Sequence, residues 1–514
     1  MTRTRPGGPK AGPAIHATLF WGLAVAVAAG MVLAHSAAGL TLPAPWGDEA
    51  FFIWQARAFE RWNGFIAPEL DPTRPILLLP FVYQALLGLA FKVFGYSFGL
   101  ARDFSLVCVL TGFVLLAVGV SRRAAPVAAM ALIGAFMLNG KFLVLANNAR
   151  MEALLFALLC AALLLLQSRR PWGALAVLMF SAMVHPNGVL FVIPVAVYAA
   201  WAQKAHRTRP AGAEMVLLAA AALAWAANGL YALSYPAGLV QDIAYRLAQT
   251  SKAHDGWERV GGWHAMGLGL ILATGAVGAW RKTQVGPLVA VAVGCWMVDR
   301  LRPEQWYEVF GDFGYLLASL AVLEIAVQAV PALKARFGSA PRMIVAGLVA
   351  LGLLGLHLKT ARVQGPRNYL QEMNVDGMRI ADGAPYLNRG DRAAIEAYVL
   401  AEEDRGARTV EVYPWGDTLL FPRLERHGVR FQIPYFDPAF AEGGPSWLWG
   451  YGPTAWPTAD IYLVRASRYQ PRFLDKRLAR VMARAEQRAG GRKMKIIHSR
   501  DGTEVWYAVR AKPL

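Results

Sequence analysis

Long apolar runs fill the first 358 residues of the chain. A helix of about 20 apolar residues crosses a hydrocarbon core of about 30 Å, and the runs are close to this length. They predict a polytopic α-helical membrane protein. Eleven spans are expected, at about 17–40, 103–120, 124–140, 150–166, 172–185, 188–202, 212–233, 264–280, 285–299, 313–331 and 342–358.

Short basic loops predict the orientation of these spans, because positive charge marks the cytoplasmic side. They lie at 3–10, 122–123, 169–170, 204–209, 281–282 and 334–342. An even number of crossings must separate each loop from the next, so one of the three apolar runs between residues 10 and 122 cannot cross. The run at 76–94 ends in FKVFGYSFGLARDF, with aromatic residues spaced through it, and we expect this run to form a helix lying at the outer interface. The N-terminus is then cytoplasmic, and everything after 358 is periplasmic.

The run at 17–40 is longer than the apolar region of a secretory signal, and many spans follow it. An uncleaved first span therefore fits better than a signal peptide.

The segment 359–514 has the composition of a soluble domain. RTVEVYPW, VRFQIPYF, ADIYLVRA and TEVWYAVR have the pattern of strands, and 391–405 and 471–489 that of amphipathic helices. We predict a small α/β domain on the outer face, following a transmembrane domain at 1–358 whose first outer loop spans 41–102.

Composition narrows the class of protein further. Charged residues make up 17% of the 514 residues, against about 25% in soluble proteins. Most Lys and Arg residues of the membrane part lie in the short basic loops, and the rest are spread over the C-terminal domain, so the net charge of +18 does not indicate nucleic-acid binding. No glycine-rich phosphate loop follows a strand. The Ala, Arg and Gly usage suggests a GC-rich bacterium, and the expected location is the bacterial inner (plasma) membrane.

Acidic residues mark the outer ends of two predicted spans. Asp48 and Glu49 follow the first span and open the helix-like stretch DEAFFIWQARAFERW. Glu152, just after Arg150, opens another span. Each acid has a plain alternative: Asp48 as a solvated loop or helix-capping acid, and Glu152 as the partner of Arg150 at a helix start. The functional hypothesis is that both carboxylates face one outer cavity.

Further outer residues have side chains suited to phosphate, sugar or lipid. Arg74 precedes Pro75 at the expected interface, where its planar cation suits phosphate oxygens or snorkels to the surface. His185 lies in the turn VHPNG, as a ligand or as a hydrogen-bonded turn residue. Arg302, Trp306 and Tyr307 lie in RPEQWYEVF, where interfacial aromatics are also common without a ligand.

The outer loop 234–263 could cover a site. It carries Asp242, His254, Asp255, Trp257 and Glu258, which the sequence does not rank.

The order of these segments resembles a known family. The acidic pair, TRP at 73–75, FGYSFGLARDFS, NNARMEALLFALL and VHPNGVLFVIP follow one another as in GT-C fold membrane glycosyltransferases. The resemblance is to the dolichyl-phosphate-mannose protein mannosyltransferases and the bacterial aminoarabinose and galacturonic acid transferases. It covers 10–200 and, more loosely, 302–320.

The resemblance implies a polyprenyl-phosphate sugar donor used on the outer face. Asp48 matches the family's first-loop acid, the catalytic base, with Glu49 beside it. Arg74 matches a basic residue that binds the donor phosphate, where the aminoarabinose enzymes have Lys. Glu152, beside Arg150, matches a second-loop position that is usually Asp. A divalent metal is left open, with Asp48 and Glu152 as its ligands if one binds.

We therefore expect an inverting glycosyltransferase with a cell-envelope acceptor, such as a polysaccharide, a glycolipid or lipopolysaccharide. The alternatives are a transporter or flippase of a lipid-linked saccharide, and a non-catalytic envelope-assembly partner. A transporter should show internal repeats and charges at mid-membrane, and the sequence shows no repeat and almost no mid-span charge.

Overall fold

The structure is a computed structural model of the chain. It describes residues 12–38, 47–77, 80–206, 210–250, 262–280, 285–301, 308–328, 340–360, 389–413, 415–433, 459–467, 472–498 and 504–511.

Helices account for nearly all of the described structure up to residue 360. They are α1 Gly12–Ala38, α2 Gly47–Glu60, α3 Val82–Phe94, α4 Phe98–Ser121, α5 Pro126–Met137, α6 Gly140–Asn147, α7 Met151–Gln167, α8 Pro171–Val184, α9 Gly188–His206, α10 Gly212–Leu233, α11 Pro236–Thr250, α12 Gly262–Trp280, α13 Gly286–Leu301, α14 Glu308–Gln328 and α15 Ala340–Thr360. Each of the eleven predicted spans coincides with one of these helices or, for 124–140, with α5 and the start of α6.

Four of the described helices are long and apolar enough to cross a membrane singly, at His16–Ala38, Phe98–Ser121, Gly212–Leu233 and Val309–Gln328. A fifth span results if α5 and α6, which meet at a bend of 66°, are counted as one. The chain is thus a mostly helical, membrane-embedded protein. The count of eleven spans and their orientation stay predictions.

The segment 41–102, which is expected to be the first outer loop, contains two helices, α2 and α3, that pack on one another. Gly88 of α3 lies so close to α2 that a Cβ there would be 2.6 Å from the Ala56 carbonyl oxygen. The other side of α3 exposes Leu89, Val93 and Phe94. An apolar exposed side is what an interfacial helix presents to lipid, in line with the prediction for 76–94.

The C-terminal part contains a five-stranded mixed sheet, of order β2-β1-β3-β5-β4. Its elements are β1 Thr409–Tyr413, β2 Arg430–Gln432, β3 Ile461–Ser467, β4 Lys495–His498 and β5 Glu504–Arg510, with helices α16 Arg389–Glu403, α17 Pro422–Arg426 and α18 Arg472–Ala489. The strand β1 is parallel to β2 and β3, whereas β5 is antiparallel to β3 and β4. The four predicted strands and two predicted helices are all present; β4 was not predicted.

The two faces of the sheet pack against different parts of the molecule. Ile461 and Leu463 of β3 belong to the apolar core that also contains α2 and α3. The alternate residues Tyr462 and Val464 pack with Val481 of α18 on the opposite face. This alternation is the period of a strand whose two sides are both buried.

The first loop and the C-terminal sheet therefore share one core. The ring of Trp54 lies 6.0 Å from that of Phe431, and its Nε1 donates to Thr418 Oγ1 at 3.4 Å. The backbone N–H of Ile433 donates to the Glu69 carbonyl oxygen at 2.8 Å. The C-terminal sheet thus covers the loop that carries Asp48 and Glu49.

Candidate functional site

A buried ion pair fixes the start of α2 against α4. Glu49 and Arg102 are both almost fully buried. The Arg102 Nη2 group donates to Glu49 Oε2 at 3.0 Å, and Nε donates to Oε1 at 3.2 Å. The guanidinium also lies 4.5 Å from the centre of the Phe98 ring. A bidentate ion pair of this kind fixes the orientation of the two side chains as well as the distance between them.

The same carboxylate holds the turn between α6 and α7. The backbone N–H of Ala149 donates to Glu49 Oε1 at 2.8 Å. Arg150 follows directly, and α7 begins at Met151. Glu49 therefore brings the beginning of α2 next to the turn that carries Arg150 and Glu152.

Arg150, Glu152 and His185 form a second buried group, where α7 begins and α8 ends. Arg150 Nη2 donates to Glu152 Oε1 at 2.8 Å, and Nε donates to Oε2 at 3.2 Å. His185 Nε2 lies 3.8 Å from Glu152 Oε1. His185 Nδ1 accepts from the backbone N–H of Asn187 at 3.0 Å. In the neutral ring, Nε2 then carries the proton and faces the carboxylate.

Asp48 is the second residue of α2 and directly precedes Glu49. Its side chain lies outside the described residues, as do Arg302, Trp306 and Tyr307. The structure thus brings together Glu49, Arg150, Glu152 and His185.

Arg74 belongs to another group of contacts, between the first loop and α11. Its Nη1 and Nη2 donate to the two carboxylate oxygens of Asp242 at 3.1 and 2.9 Å. Nη2 also donates to Gln241 Oε1 at 2.8 Å, and Nε lies 3.4 Å from Asp71 Oδ2. Burial raises the pKa of Asp242, although the hydrogen bonds from Arg74 oppose this shift. The loop 234–263, whose members the sequence did not rank, supplies these partners from a helix.

The described residues contain no group of three or more His, Cys, Asp or Glu side chains arranged to hold a metal ion. Both carboxylate oxygens of Glu152 accept from Arg150, so a cation at Glu152 would have to compete with that guanidinium. The metal role of Asp48 and Glu152 stays an expectation.

The fold and the site define a helical membrane-embedded protein with buried acidic and basic groups beneath a small C-terminal sheet. No family model matches the sequence, and no curated protein matches it either. The structure is similar to the crystal structure of ArnT from Cupriavidus metallidurans bound to undecaprenyl phosphate. The two are 15% identical, over 97% of this chain and 100% of that one, with a TM-score of 0.48.

This likeness is in line with the sequence resemblance to bacterial aminoarabinose transferases. At its identity and TM-score it assigns neither an activity nor a residue role to this chain.

Sequence reasoning gave no role to several residues of these contacts. Arg102 was noticed only within FGYSFGLARDFS, and Asp242 only as one acid of a long loop. A basic residue within an otherwise apolar helix is a usable signal, because burying it unpaired is costly. Arg102 stands in such a helix, four residues from its start.

Proposed function

We propose that this protein is a membrane glycosyltransferase that moves a sugar from a polyprenyl-phosphate donor to an acceptor on the outer face. The observation that carries the proposal is the set of contacts made by the Glu49 carboxylate. Glu49 pairs with Arg102 and accepts from Ala149, so the start of α2 lies beside the turn that leads to Glu152. A carboxylate in such a position suits a base that accepts the proton of an acceptor hydroxyl.

The proposed reaction uses Asp48 as the base. The acceptor hydroxyl oxygen attacks the anomeric carbon of the donor sugar and forms the new glycosidic bond, while its proton passes to the Asp48 carboxylate. The bond between the anomeric carbon and the phosphate oxygen breaks, and polyprenyl phosphate leaves without needing a proton. Attack opposite the leaving group inverts the anomeric carbon. Glu49, held by Arg102, acts by positioning.

Arg74 is the proposed partner of the donor phosphate, because a fixed cation stabilises the charge that develops on the leaving group. It comes from the same loop as Asp48. The Gln55 side chain of α2 donates to the Ile76 carbonyl oxygen at 3.0 Å, which ties the segment after Arg74 to the helix that carries Asp48. His185, Arg302, Trp306 and Tyr307 are proposed to contact the lipid phosphate or sugar.

The proposed acceptor is a component of the bacterial envelope, either a polysaccharide, a glycolipid or lipopolysaccharide, met on the periplasmic side of the inner membrane. The C-terminal sheet shares a core with the first loop. This packing supports a role for the sheet in covering the cavity on the acceptor side.

The test uses the full-length protein in nanodiscs with radiolabelled undecaprenyl-phosphate sugars and an envelope extract. Transfer by the wild type should be lost in Asp48→Asn at equal folded yield. Asp404→Asn makes the same chemical change on the exposed surface of the C-terminal part and should keep transfer.

Full transfer by Asp48→Asn would overturn the base assignment. In proteoliposomes, label that crosses the bilayer without being transferred would favour the transporter or flippase. Binding without transfer or transport would favour the non-catalytic partner.

A further inference from the structure

One face of α11 is built around the Arg74 guanidinium. Gln241 and Asp242 follow Gly238 by three and four residues, so all three lie on the same side of the helix. A Cβ at Gly238 would be 2.9 Å from Arg74 Cδ and 3.0 Å from Nη1. The glycine therefore lets the helix backbone come directly against the arginine side chain.

The donors of Arg74 that a phosphate would need already have acceptors. Nη1 donates to Asp242 Oδ2 and to the Pro75 carbonyl oxygen, the latter at 3.1 Å. Nη2 donates to Asp242 Oδ1 and Gln241 Oε1. The carboxylate of Asp242 spans the guanidinium fork as two oxygens of a phosphate would. A phosphate could take this place only if Asp242 left it.

The charges around Arg74 lead to the same conclusion. Asp71 and Asp242 place two carboxylates against one guanidinium, so the closed arrangement carries a net negative charge. A donor phosphate approaching it would meet repulsion rather than attraction. Departure of Asp242 removes the competing oxygens and one of the two negative charges, which lessens the repulsion and opens the Arg74 Nη1 and Nη2 donors to the phosphate.

The surroundings of α11 allow this departure. Tyr231, at the end of α10, is held by the rings of Phe65 and Phe81, with centroids 5.9 and 5.3 Å away. The chain then turns, and α11 starts at Pro236. On its other side α11 exposes Val240 and Ile243, each by about half. The helix thus has a fixed attachment at one end and a polar contact to Arg74 that can break.

We propose that Asp242 and Gln241 are a built-in occupant of the donor-phosphate site on Arg74, and that α11 is a lid which the phosphate of the lipid donor must displace. This inference rests on the proposed function, specifically on Arg74 as the phosphate ligand. Because only molecules with α11 open can bind, the apparent affinity for the donor is lowered by the fraction that is open.

The first measurement is the affinity of the full-length protein in nanodiscs for undecaprenyl phosphate. Asp242→Asn, which removes the competing charge, should bind it about fivefold more tightly or better. Arg74→Gln should lose most of the binding. Asp71→Asn is the matched control, because it removes the same amount of charge beside Arg74 without releasing α11. It should tighten binding less than Asp242→Asn does, and equal tightening by both variants would attribute the effect to charge alone and contradict the lid.

The second measurement is hydrogen–deuterium exchange. Adding undecaprenyl phosphate to the wild type should increase exchange in α11 and at the amide of Leu77, which donates to Asp242. Undecaprenol, which lacks the phosphate, should have no such effect. Asp242→Asn should show the increase without any lipid, whereas Asp71→Asn should resemble the wild type.

The outcomes separate the lid from the proposed function. Asp242→Asn could bind undecaprenyl phosphate more weakly than the wild type, while α11 stays protected from hydrogen exchange when the lipid binds. Asp242 would then position Arg74, and the lid proposal would be wrong. If Arg74→Gln and Asp242→Asn both bind undecaprenyl phosphate as the wild type does, the phosphate binds elsewhere and the lid proposal is wrong. If the predicted changes in affinity and in hydrogen exchange are both seen but no sugar is transferred, the lid proposal holds and the proposed transferase activity is rejected.

Discussion

Replacing Glu49 by Gln should be among the most destabilising single changes in the outer part of the protein. The side chain keeps its size and can still accept the Ala149 N–H, so the backbone contact is retained. What is lost is the negative charge opposite Arg102, which is 1% exposed. Removing one partner of a buried pair leaves the other charge uncompensated, at a cost of about 3–5 kcal/mol.

The double variant Glu49→Gln/Arg102→Met separates this cost from lost packing. Methionine has a flexible apolar side chain that suits the contact with the Phe98 ring. With both charges removed, the penalty for the unpaired guanidinium disappears, so the double variant should recover about 2 kcal/mol or more relative to Glu49→Gln. The structure predicts this recovered free energy of unfolding more directly than the loss in Glu49→Gln alone.

Equilibrium unfolding in mixed detergent, followed by tryptophan fluorescence, measures these free energies. Arg102→Met alone completes the double-mutant cycle, in which the coupling free energy isolates the pair. A loss below about 1 kcal/mol in Glu49→Gln, the range of exposed pairs, would refute the reasoning. A double variant no more stable than Glu49→Gln would refute it as well.

Three other changes test the packing around the first loop. Glu425→Gln removes the carboxylate shared by Arg57 and Arg61 and should weaken the attachment of the C-terminal part by about 1–3 kcal/mol, seen as faster hydrogen exchange in α17. Gly88→Ala should cost about 1–3 kcal/mol in the same unfolding assay, because its Cβ would meet the α2 backbone. Burial raises the pKa of Glu69 in the folded protein above its value in the unfolded chain. The protonated carboxyl therefore favours the folded state fully below about pH 4.3, and this stabilisation is lost as the pH rises through the raised pKa. Glu69→Gln should therefore gain melting temperature relative to wild type between pH 4 and 7.

Each of these changes has a control. Glu486→Gln alters an exposed acid of α18 and should leave exchange in α17 unchanged. Gly347→Ala adds a Cβ in open space within α15, so it should not reproduce the cost of Gly88→Ala. A melting-temperature difference for Glu69→Gln that is constant with pH would show that Glu69 does not titrate as described.

The helices and strands were predictable because their signals are local. Apolar runs predicted helices at all eleven places, since the pattern that makes a segment membrane-compatible is contained within it. Alternation of apolar residues predicted four strands of the sheet. The strand Lys495–His498 was missed because it is short and largely exposed at the sheet edge, so it lacks the alternation that a half-buried strand shows.

The site was predictable in its residues but not in their pairing. The sequence singled out Glu49, Arg150, Glu152 and His185 individually, and the structure brings them near one another. Their roles, and the cavity expected to be shared by Asp48 and Glu152, stay predictions. Their neighbour Arg102 was missed, because the pair joins positions 53 residues apart and no local pattern specifies such a contact. The partner of Arg74 lies still further along the chain, on a helix that the sequence suggested only as a loop.

Among the described residues, ion pairs join the first loop to three other parts of the chain. Glu49 reaches α4, Arg74 reaches α11, and Arg57 reaches Glu425 of the C-terminal part. Buried pairs add little net stability, whereas apolar packing supplies most of it. Their contribution is geometric, because a bidentate pair permits one orientation and an apolar contact permits several.

The orientation of α2, the helix that carries Asp48, is thus set by polar contacts, next to a core that would remain apolar without them. Variants that replace a whole pair by apolar residues of similar size should therefore keep the fold and lose the placement of Asp48. Such variants would separate the contribution of geometry from that of stability at this site.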